Sequence, residues 1–187
     1  MGGQMSPSSD SLRVAYDTTV FCGALLNPRG GNMKALLAAG LPGVVPIVAR
    51  SVLGEFVRNA MQGMGNPPRR HTYEECTTFL SDVAEVLSNV VPVGLRDVLE
   101  CALRAPNRPL GQLLQASAIV WSEGFRASDL TRRVTDLCDL RVCLACVENG
   151  AEVLVTRNLE HFEALRPFCA VEPPSTFLRR FDQSDEG

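Results

Sequence analysis

The stretch DLCDLRVCLACVENGAEVLVTRNLEHF, residues 136–162, predicts a helix followed by a strand and a polar turn. In its first half, apolar residues recur at i, i+3, i+4 and i+7, the spacing of one helix face, at Leu140, Cys143, Leu144 and Val147. We expect this helix to cover 139–150, with Asp139 at its start and Gly150 at its end. The run EVLVT, residues 152–156, then predicts a buried strand, which Asn158 follows closely.

Similar apolar runs alternate with helical patterns over the rest of the chain. The predicted strands are 13–16, 44–48, 90–93, 152–156 and 168–173. The predicted helices are 31–40, 51–61, 72–87, 95–104, 111–123 and 139–150. Strands that alternate with helices favour a mainly parallel sheet that is covered on both faces. We therefore predict an α/β fold, namely a three-layer α/β/α sandwich with a helical middle insertion.

Capping and turn-forming residues set several of these boundaries. Ser51 is a candidate N-cap for the helix after the second strand, and Thr72 with Glu75 has the spacing of a capping box. The run QGMGNPPRR, residues 62–70, predicts a loop because it is rich in glycine and proline. Pro46 indicates an irregularity or an edge position in the second strand, because proline cannot donate to a sheet ladder.

The length and composition fit one domain. A chain of 187 residues with 45% hydrophobic residues has enough apolar side chains for a single core. We assign 1–11 to a flexible N-terminal tail, 12–174 to the domain and 175–187 to a C-terminal tail, and we expect 62–130 to be mainly helical. The net charge of −3 excludes a protein coated in positive charge, although it is compatible with a local basic groove.

Hydropathy and cysteine usage bear on the compartment. No apolar run reaches the ~20 residues of a membrane span, and the polar start MGGQMSPSSD lacks the apolar centre of a signal peptide. We therefore expect a cytoplasmic protein without a membrane partner, whose seven cysteines are reduced thiols. Cys138, Cys143 and Cys146 have the spacing of a plant-type iron–sulfur site, but a regular helix cannot wrap a cluster and no fourth cysteine lies nearby.

Polar residues mark the edges of the apolar runs at four places. Asp17 directly follows the first strand, Glu55 lies in SVLGEF after the second strand, and Asp139 and Asn158 lie in the 136–162 stretch. In parallel α/β sheets, ligands bind outside the carboxyl ends of the strands. Carboxylates gathered there suit Mg²⁺ or Mn²⁺, which prefer oxygen ligands. Such ions activate water and stabilise a leaving oxygen in phosphodiester hydrolysis.

Three pieces of the chain resemble the PIN-domain family, the fold of VapC-like toxin ribonucleases. They are YDTTVFCGALLNPRG (16–30), SVLGEF (51–56) and the 136–162 stretch, in which DxxD, helix, apolar strand, TRN and Phe162 follow the family's order. The resemblance covers both ends of the domain, whereas 62–130 match only as generic helices. It implies a metal-dependent endoribonuclease, with Mg²⁺ or Mn²⁺ as cofactor, RNA as substrate, an antitoxin as possible partner and a homodimer as the assembly.

The resemblance also implies roles for individual residues. Asp17, Glu55 and Asp139 correspond to the core acids, which bind metal and carry catalysis. Asn158 stands where many members have a fourth aspartate, and Asp136 is a further candidate metal-site acid in the loop before the helix. The supporting hydroxyls are those of Thr18, Thr19 and Thr156. The arginines best placed for an RNA backbone are Arg132, Arg133 and Arg157.

Other interpretations of the same residues remain open. Asp17 alone could end a strand, Asp139 could be an N-cap, and Asn158 could form an Asx turn. Glu55 lies off the apolar stripe of its helix and could face solvent. At the level of function, the alternatives are a catalytically weak PIN scaffold that binds RNA or a protein partner, and a haloacid-dehalogenase-like phosphatase. That phosphatase would use Asp17 as nucleophile, but Thr19 stands where its second acid is expected.

Overall fold

The computed structural model describes residues 11–91, 120–122, 125–126 and 137–182. Its centre is a five-stranded sheet in the order β3-β2-β1-β6-β7, in which every neighbouring pair is parallel. These strands are β1 (Leu12–Tyr16), β2 (Val44–Ala49), β3 (Val90–Val91), β6 (Val153–Val155) and β7 (Ala170–Glu172). A separate antiparallel pair is formed by β4 (Val120–Ser122) and β5 (Phe125–Arg126).

Helices surround the sheet. They are α1 (Thr18–Leu26), α2 (Gly31–Leu37), α3 (Arg50–Gln62), α4 (Tyr73–Asp82), α5 (Leu137–Glu148) and α6 (Pro174–Asp182). Short 3₁₀ segments cover Ala38–Gly40, Ala84–Asn89 and Leu159–Leu165. The predicted α/β class with a parallel central sheet is confirmed, and the arrangement is consistent with a PIN-like fold. Among the described residues, none of the helices has the length and apolar character needed to cross a bilayer.

The central strands are buried because helices cover the sheet. Residues 14–16 of β1 are at most 2% exposed, and Val153–Val155 of β6 are fully buried. Tyr16 pairs in register with Val155, and the backbone N–H of Asp17 donates to the carbonyl of Val155 at 3.1 Å. The residues that follow these two strands are therefore neighbours, so the acid at position 17 and the polar turn after β6 meet at one edge of the sheet.

Helix α5 is confirmed, with one correction at its start. It begins at Leu137, so Asp139 lies in the first turn and is not the N-cap. Its end is as predicted, since Gly150 has φ +60° and the N–H of Ala151 donates to the carbonyl of Cys146 at 2.8 Å. Burial extends beyond the predicted stripe, because Val142, Ala145 and Cys146 are also at most 2% exposed.

The first long helix was not predicted. Residues 18–26, TTVFCGALL, form α1, which begins directly after its N-cap Asp17. Its buried residues do not form a single stripe, since they are Thr18, Val20, Phe21, Gly23 and Ala24. A helix that is buried on several faces has no clear helical periodicity in its sequence, and this explains the omission.

The predicted capping signals had different outcomes. The capping box is present, because the N–H of Glu75 donates to Thr72 Oγ1 at 3.1 Å and the N–H of Thr72 donates to Glu75 Oε2 at 2.8 Å. Ser51 is not an N-cap, since α3 already begins at Arg50 and no side chain caps it.

Pro46 lies in an interior strand at a position that pairs with Val14 of β1, while β3 pairs with β2 only at residues 48–49.

The middle of the chain is described only in part. Residues 62–70 form the predicted loop, in which a β-bridge joins Met64 and Arg69. The predicted helix 72–87 is divided into α4 and the 3₁₀ segment that follows it. The predicted helix 95–104 lies outside the described residues. The predicted helix 111–123 is wrong at residues 120–122, which form β4.

The C-terminal segment differs from the expected tail. Instead, α6 covers Pro174–Asp182 and buries Phe177 completely. The ring of Phe177 packs edge-on against Tyr16, with centroids 6.2 Å apart, and against Phe181, at 5.2 Å. An isolated nine-residue helix is marginal in water, so these contacts stabilise the segment. Residues 1–10 and 183–187, which we assigned to tails, lie outside the described residues.

Candidate functional site

A cleft of about 630 Å³ lies at the carboxyl ends of β1 and β6. All three predicted core acids, Asp17, Glu55 and Asp139, line it. Their companions along the walls are Thr18, Thr19, Cys22, Gly23, Leu26, Asn59, Gln62, Gly63, Met64, Gly65, Arg157, Asn158 and His161. The fold therefore brings together side chains that are more than 120 residues apart in sequence.

Asp17 is the most enclosed of these acids. It is 4% exposed, and its backbone has the extended conformation of an N-cap. Its Oδ2 atom accepts hydrogen bonds from Thr19 Oγ1 at 2.7 Å, Thr156 Oγ1 at 2.9 Å and the N–H of Thr19 at 3.3 Å. These three hydrogen bonds all reach Oδ2, so they hold the carboxylate in one orientation at the wall of the cleft.

Glu55 reaches the cleft from α3. Thr18, the residue after Asp17, donates its hydroxyl to Glu55 Oε2 at 2.8 Å. The possibility that Glu55 simply faces solvent is therefore wrong, because its half-buried side chain is bonded within the cleft. This hydrogen bond joins α1 to α3, so Glu55 contacts the residue that directly follows Asp17.

The polar turn after β6 is built on hydroxyl groups. Thr156, which is fully buried, accepts the N–H of Asn158 at 3.0 Å, and Thr19 accepts the N–H of Arg157 at 3.0 Å. No side-chain cap bond joins Asn158 to the 3₁₀ segment that follows it, so the Asx-turn interpretation has no support. The side chains of Arg157 and Asn158 are exposed and line the cleft.

Asp139 has a partner that the sequence did not predict. Nδ1 of His161, on the 3₁₀ segment after Asn158, lies 2.9 Å from Asp139 Oδ2. The sequence patterns alone assign no role to His161. The signal that could have identified it is its place in the turn directly after the β6 motif, three residues beyond Asn158.

Asn59 and Gln62 are also cleft residues that sequence reasoning missed. They follow Glu55 at i+4 and i+7 on α3, so a polar stripe at helical spacing marks the face that lines the cleft.

Cys22 lies four residues after Thr18 on α1. Burial, followed by the charges of Asp17 and Glu55, raises the pKa of the Cys22 thiol to about 12. Cys22 is therefore a neutral thiol at physiological pH, unsuited to nucleophilic attack.

Three predicted residues cannot be placed. Asp136, Arg132 and Arg133 lie outside the described residues. Cys138, Cys143 and Cys146 all lie on the continuous helix α5, and no disulfide joins any of the cysteines that the structure describes. A regular helix cannot fold its own residues around one iron–sulfur cluster, so the structure agrees with the interpretation of these cysteines as packed thiols.

The donor atoms suit a hard divalent cation in their chemistry, but they do not form a closed cage. Carboxylate, hydroxyl and amide oxygens line the cleft, and these are ligands that Mg²⁺ and Mn²⁺ accept. Within the described ranges, however, no three His, Cys, Asp or Glu side chains converge closely enough to hold an ion. Asp17 and Glu55 are linked through neighbouring threonines, whereas Asp139 is bonded to His161.

Comparisons with known proteins identify the fold. The chain is similar in structure to VapBC-1 from nontypeable Haemophilus influenzae. The match has a TM-score of 0.50 and 13% sequence identity, and it covers 88% of this chain and 99% of that one. No protein-family model matches the sequence, and no curated protein does. At this identity the likeness establishes a shared fold alone.

Proposed function

We propose that this protein is a metal-dependent endoribonuclease that hydrolyses RNA phosphodiester bonds. The observation that carries the proposal is the single cleft at the carboxyl ends of β1 and β6, which Asp17, Glu55 and Asp139 all line. The fold shared with VapBC-1 supports it. On this proposal the protein is the toxin of a toxin–antitoxin pair, acts in the cytoplasm and forms a homodimer.

The described residues suggest a division of labour. Asp17 and Glu55 would hold Mg²⁺ or Mn²⁺ through the carboxylate oxygens that their threonine partners leave to the cleft. Asp139 and the amide oxygen of Asn158 complete the oxygen-rich wall, and Asp136 is a candidate outer acid. When bound, the ion supplies an activated water and neutralises charge on the leaving oxygen.

Basic residues at the rim would bind the RNA backbone. The side chain of Arg157 is exposed at the edge of the cleft, and a guanidinium forms two parallel hydrogen bonds with a phosphate. Its backbone N–H bonds to Thr19, which also bonds to Asp17, so Arg157 has a fixed relation to the acids. Arg132 and Arg133 remain predictions for the same role.

The test is metal-dependent cleavage of RNA by the purified chain. We expect cleavage to stop with EDTA and to return with Mn²⁺ or Mg²⁺, and Mn²⁺ to raise the melting temperature, because a ligand that binds only the folded state stabilises it. Asp17→Asn should abolish cleavage and retain the fold, while Asp82→Asn, an exposed acid outside the cleft, should change neither. Turnover of p-nitrophenyl phosphate in place of RNA would support the phosphatase alternative.

A second candidate is a PIN-like scaffold that binds RNA or a protein partner without cutting RNA. Two observations favour it: no three potential ligands converge among the described residues, and Asn158 is neutral where many PIN domains carry an aspartate. A scaffold would bind RNA equally well with EDTA and with Mn²⁺. Absence of both a Mn²⁺-induced stability gain and metal-dependent cleavage would therefore establish this candidate over the nuclease.

A further inference from the structure

The contact between His161 and Asp139 joins two residues that are 22 positions apart in sequence. Nδ1 of the imidazole lies 2.9 Å from Asp139 Oδ2, and both residues line the cleft. The Asp139 side chain is 18% exposed, whereas that of His161 is 55% exposed. The histidine therefore lies on the solvent side of the acid and contacts it from the rim.

Both residues of this contact directly precede a fully buried side chain. On one side, Leu140 directly follows Asp139 in α5 and is fully buried. On the other side, Phe162 directly follows His161 and is also fully buried, and the N–H of His161 donates to the carbonyl of Asn158 at 3.2 Å. The packing of these neighbours fixes the two Cα positions, so the distance between the side chains follows from the fold.

We infer that His161 is a positioning residue for the metal-binding carboxylate of Asp139. A carboxylate only accepts hydrogen bonds, so Nδ1 carries the hydrogen and donates it to Oδ2. This bond holds the carboxylate in one rotational setting in the cleft. Partners of this kind orient a metal ligand, and their removal weakens metal affinity by about 10–100-fold. The inference rests on the proposed function, because it assumes that Asp139 is a ligand.

The rival arrangement is an imidazole that itself coordinates the ion. Substitutions distinguish the two, because an asparagine amide nitrogen can occupy roughly the position of Nδ1, whereas a glutamine amide reaches toward that of Nε2. Positioning through Nδ1 needs only a donor there, so His161→Asn should retain it. Coordination needs a lone pair on an imidazole nitrogen, which neither amide nitrogen offers.

The experiment titrates Mn²⁺ into the full chain by calorimetry at a fixed neutral pH, without RNA. We expect His161→Ala and His161→Gln to bind Mn²⁺ about 10–100-fold more weakly than the wild type. His161→Asn should bind almost as tightly as the wild type. The matched control is Glu163→Ala, which changes the same 3₁₀ segment but breaks only the surface pair with Arg166. Melting curves without metal show whether each variant is folded.

Each other outcome overturns the inference in a distinct way. Unchanged affinity in His161→Ala would show that the bond orients nothing, while the proposed nuclease function would stand. Equal losses in the Asn and Ala variants, with imidazole nitrogen coupling to Mn²⁺ in pulsed EPR of the wild type, would show direct coordination. A wild-type protein that binds no Mn²⁺ would overturn both this inference and the proposed function.

Discussion

Thr156→Val is the most informative change at the centre of the site. Thr156 is fully buried, and its hydroxyl donates to Asp17 Oδ2 at 2.9 Å and accepts the N–H of Asn158 at 3.0 Å. Valine has nearly the same shape, so the substitution removes these hydrogen bonds without opening a cavity. It therefore isolates the contribution of one hydroxyl to the orientation of Asp17.

The expected magnitude follows from the bonds that are lost. A hydrogen bond to a charged group contributes about 1.5–3 kcal/mol, and Asp17 keeps both of its bonds from Thr19. The substitution also removes the acceptor of the Asn158 N–H, which is Thr156 Oγ1. Because Asn158 is exposed, water can replace that acceptor at little cost. We expect a loss of about 1.5–3 kcal/mol, which lowers the melting temperature of a chain of this size by about 3–12 °C.

A double-mutant cycle tests whether the loss of stability comes from the hydrogen bond between Thr156 and Asp17. In an Asp17→Asn background the bond is between neutral groups and contributes only about 0.5–1.5 kcal/mol, so the two changes should couple by about 1 kcal/mol. Urea unfolding gives the four stabilities. Thr77→Val is the matched control, because the Thr77 hydroxyl donates to the carbonyl of Glu74 at an exposed site. This substitution should change the free energy of unfolding by no more than about 0.5 kcal/mol.

The functional arm of the same experiment is Mn²⁺ affinity. If Thr156 holds Asp17 in its binding orientation, Thr156→Val should weaken Mn²⁺ binding by about 10-fold or more in calorimetry. A variant that unfolds with wild-type stability and binds Mn²⁺ normally would refute the reasoning, since it would show that the hydroxyl neither stabilises nor orients the carboxylate.

The remaining predictions concern the C-terminal helix, the third acid and the cleft thiol. Phe177→Ala should lower the free energy of unfolding in urea by about 3–5 kcal/mol, because this ring is fully buried. An unchanged unfolding midpoint would support the expectation that residues 175–187 form a tail. Asp139→Asn should abolish Mn²⁺-dependent cleavage, whereas Asp136→Asn should weaken it by about 10–100-fold. The reverse ranking would mean that the third metal-binding acid is Asp136, before α5, and not Asp139. Burial, followed by neighbouring carboxylates, raises the pKa of Cys22 from 9.0 to about 12. The unfolded chain therefore releases this proton first, so stability should fall as pH rises from about 9 towards 12, and less steeply in Cys22→Ala, as equilibrium unfolding at several pH values can show.

Two polar residues of the cleft could be predicted from local sequence because each lies just after a strand. Asp17 follows a mainly apolar strand, and Asn158 closely follows another. The rule that ligands bind at the carboxyl ends of parallel strands therefore placed both residues at one edge. The alternation of strands and helices likewise predicted the α/β class. Helix α5 was predictable because its apolar stripe and Gly150 are signals within a dozen residues.

The partners of those acids depended on the tertiary structure. No local pattern connects His161 with Asp139 or Thr18 with Glu55, because their hydrogen bonds depend on how separate elements pack. The same holds for Cys22, because burial in the folded chain is the largest cause of its raised pKa. Distances of a few tenths of an ångström decide a hydrogen bond, and periodicity carries no information at that scale.

The sequence by itself determined the parallel α/β architecture and the strand ends at which Asp17 and Asn158 lie, because both follow from hydrophobic periodicity and from chain polarity. Only the tertiary structure decided that residues 18–26 form a helix and that α6 packs Phe177 against Tyr16. Helix α1 is buried on several faces and has no periodic signature. Helix α6 is short, and it depends on tertiary contacts such as that of Phe177 with Tyr16 of β1, more than 150 residues earlier in the chain.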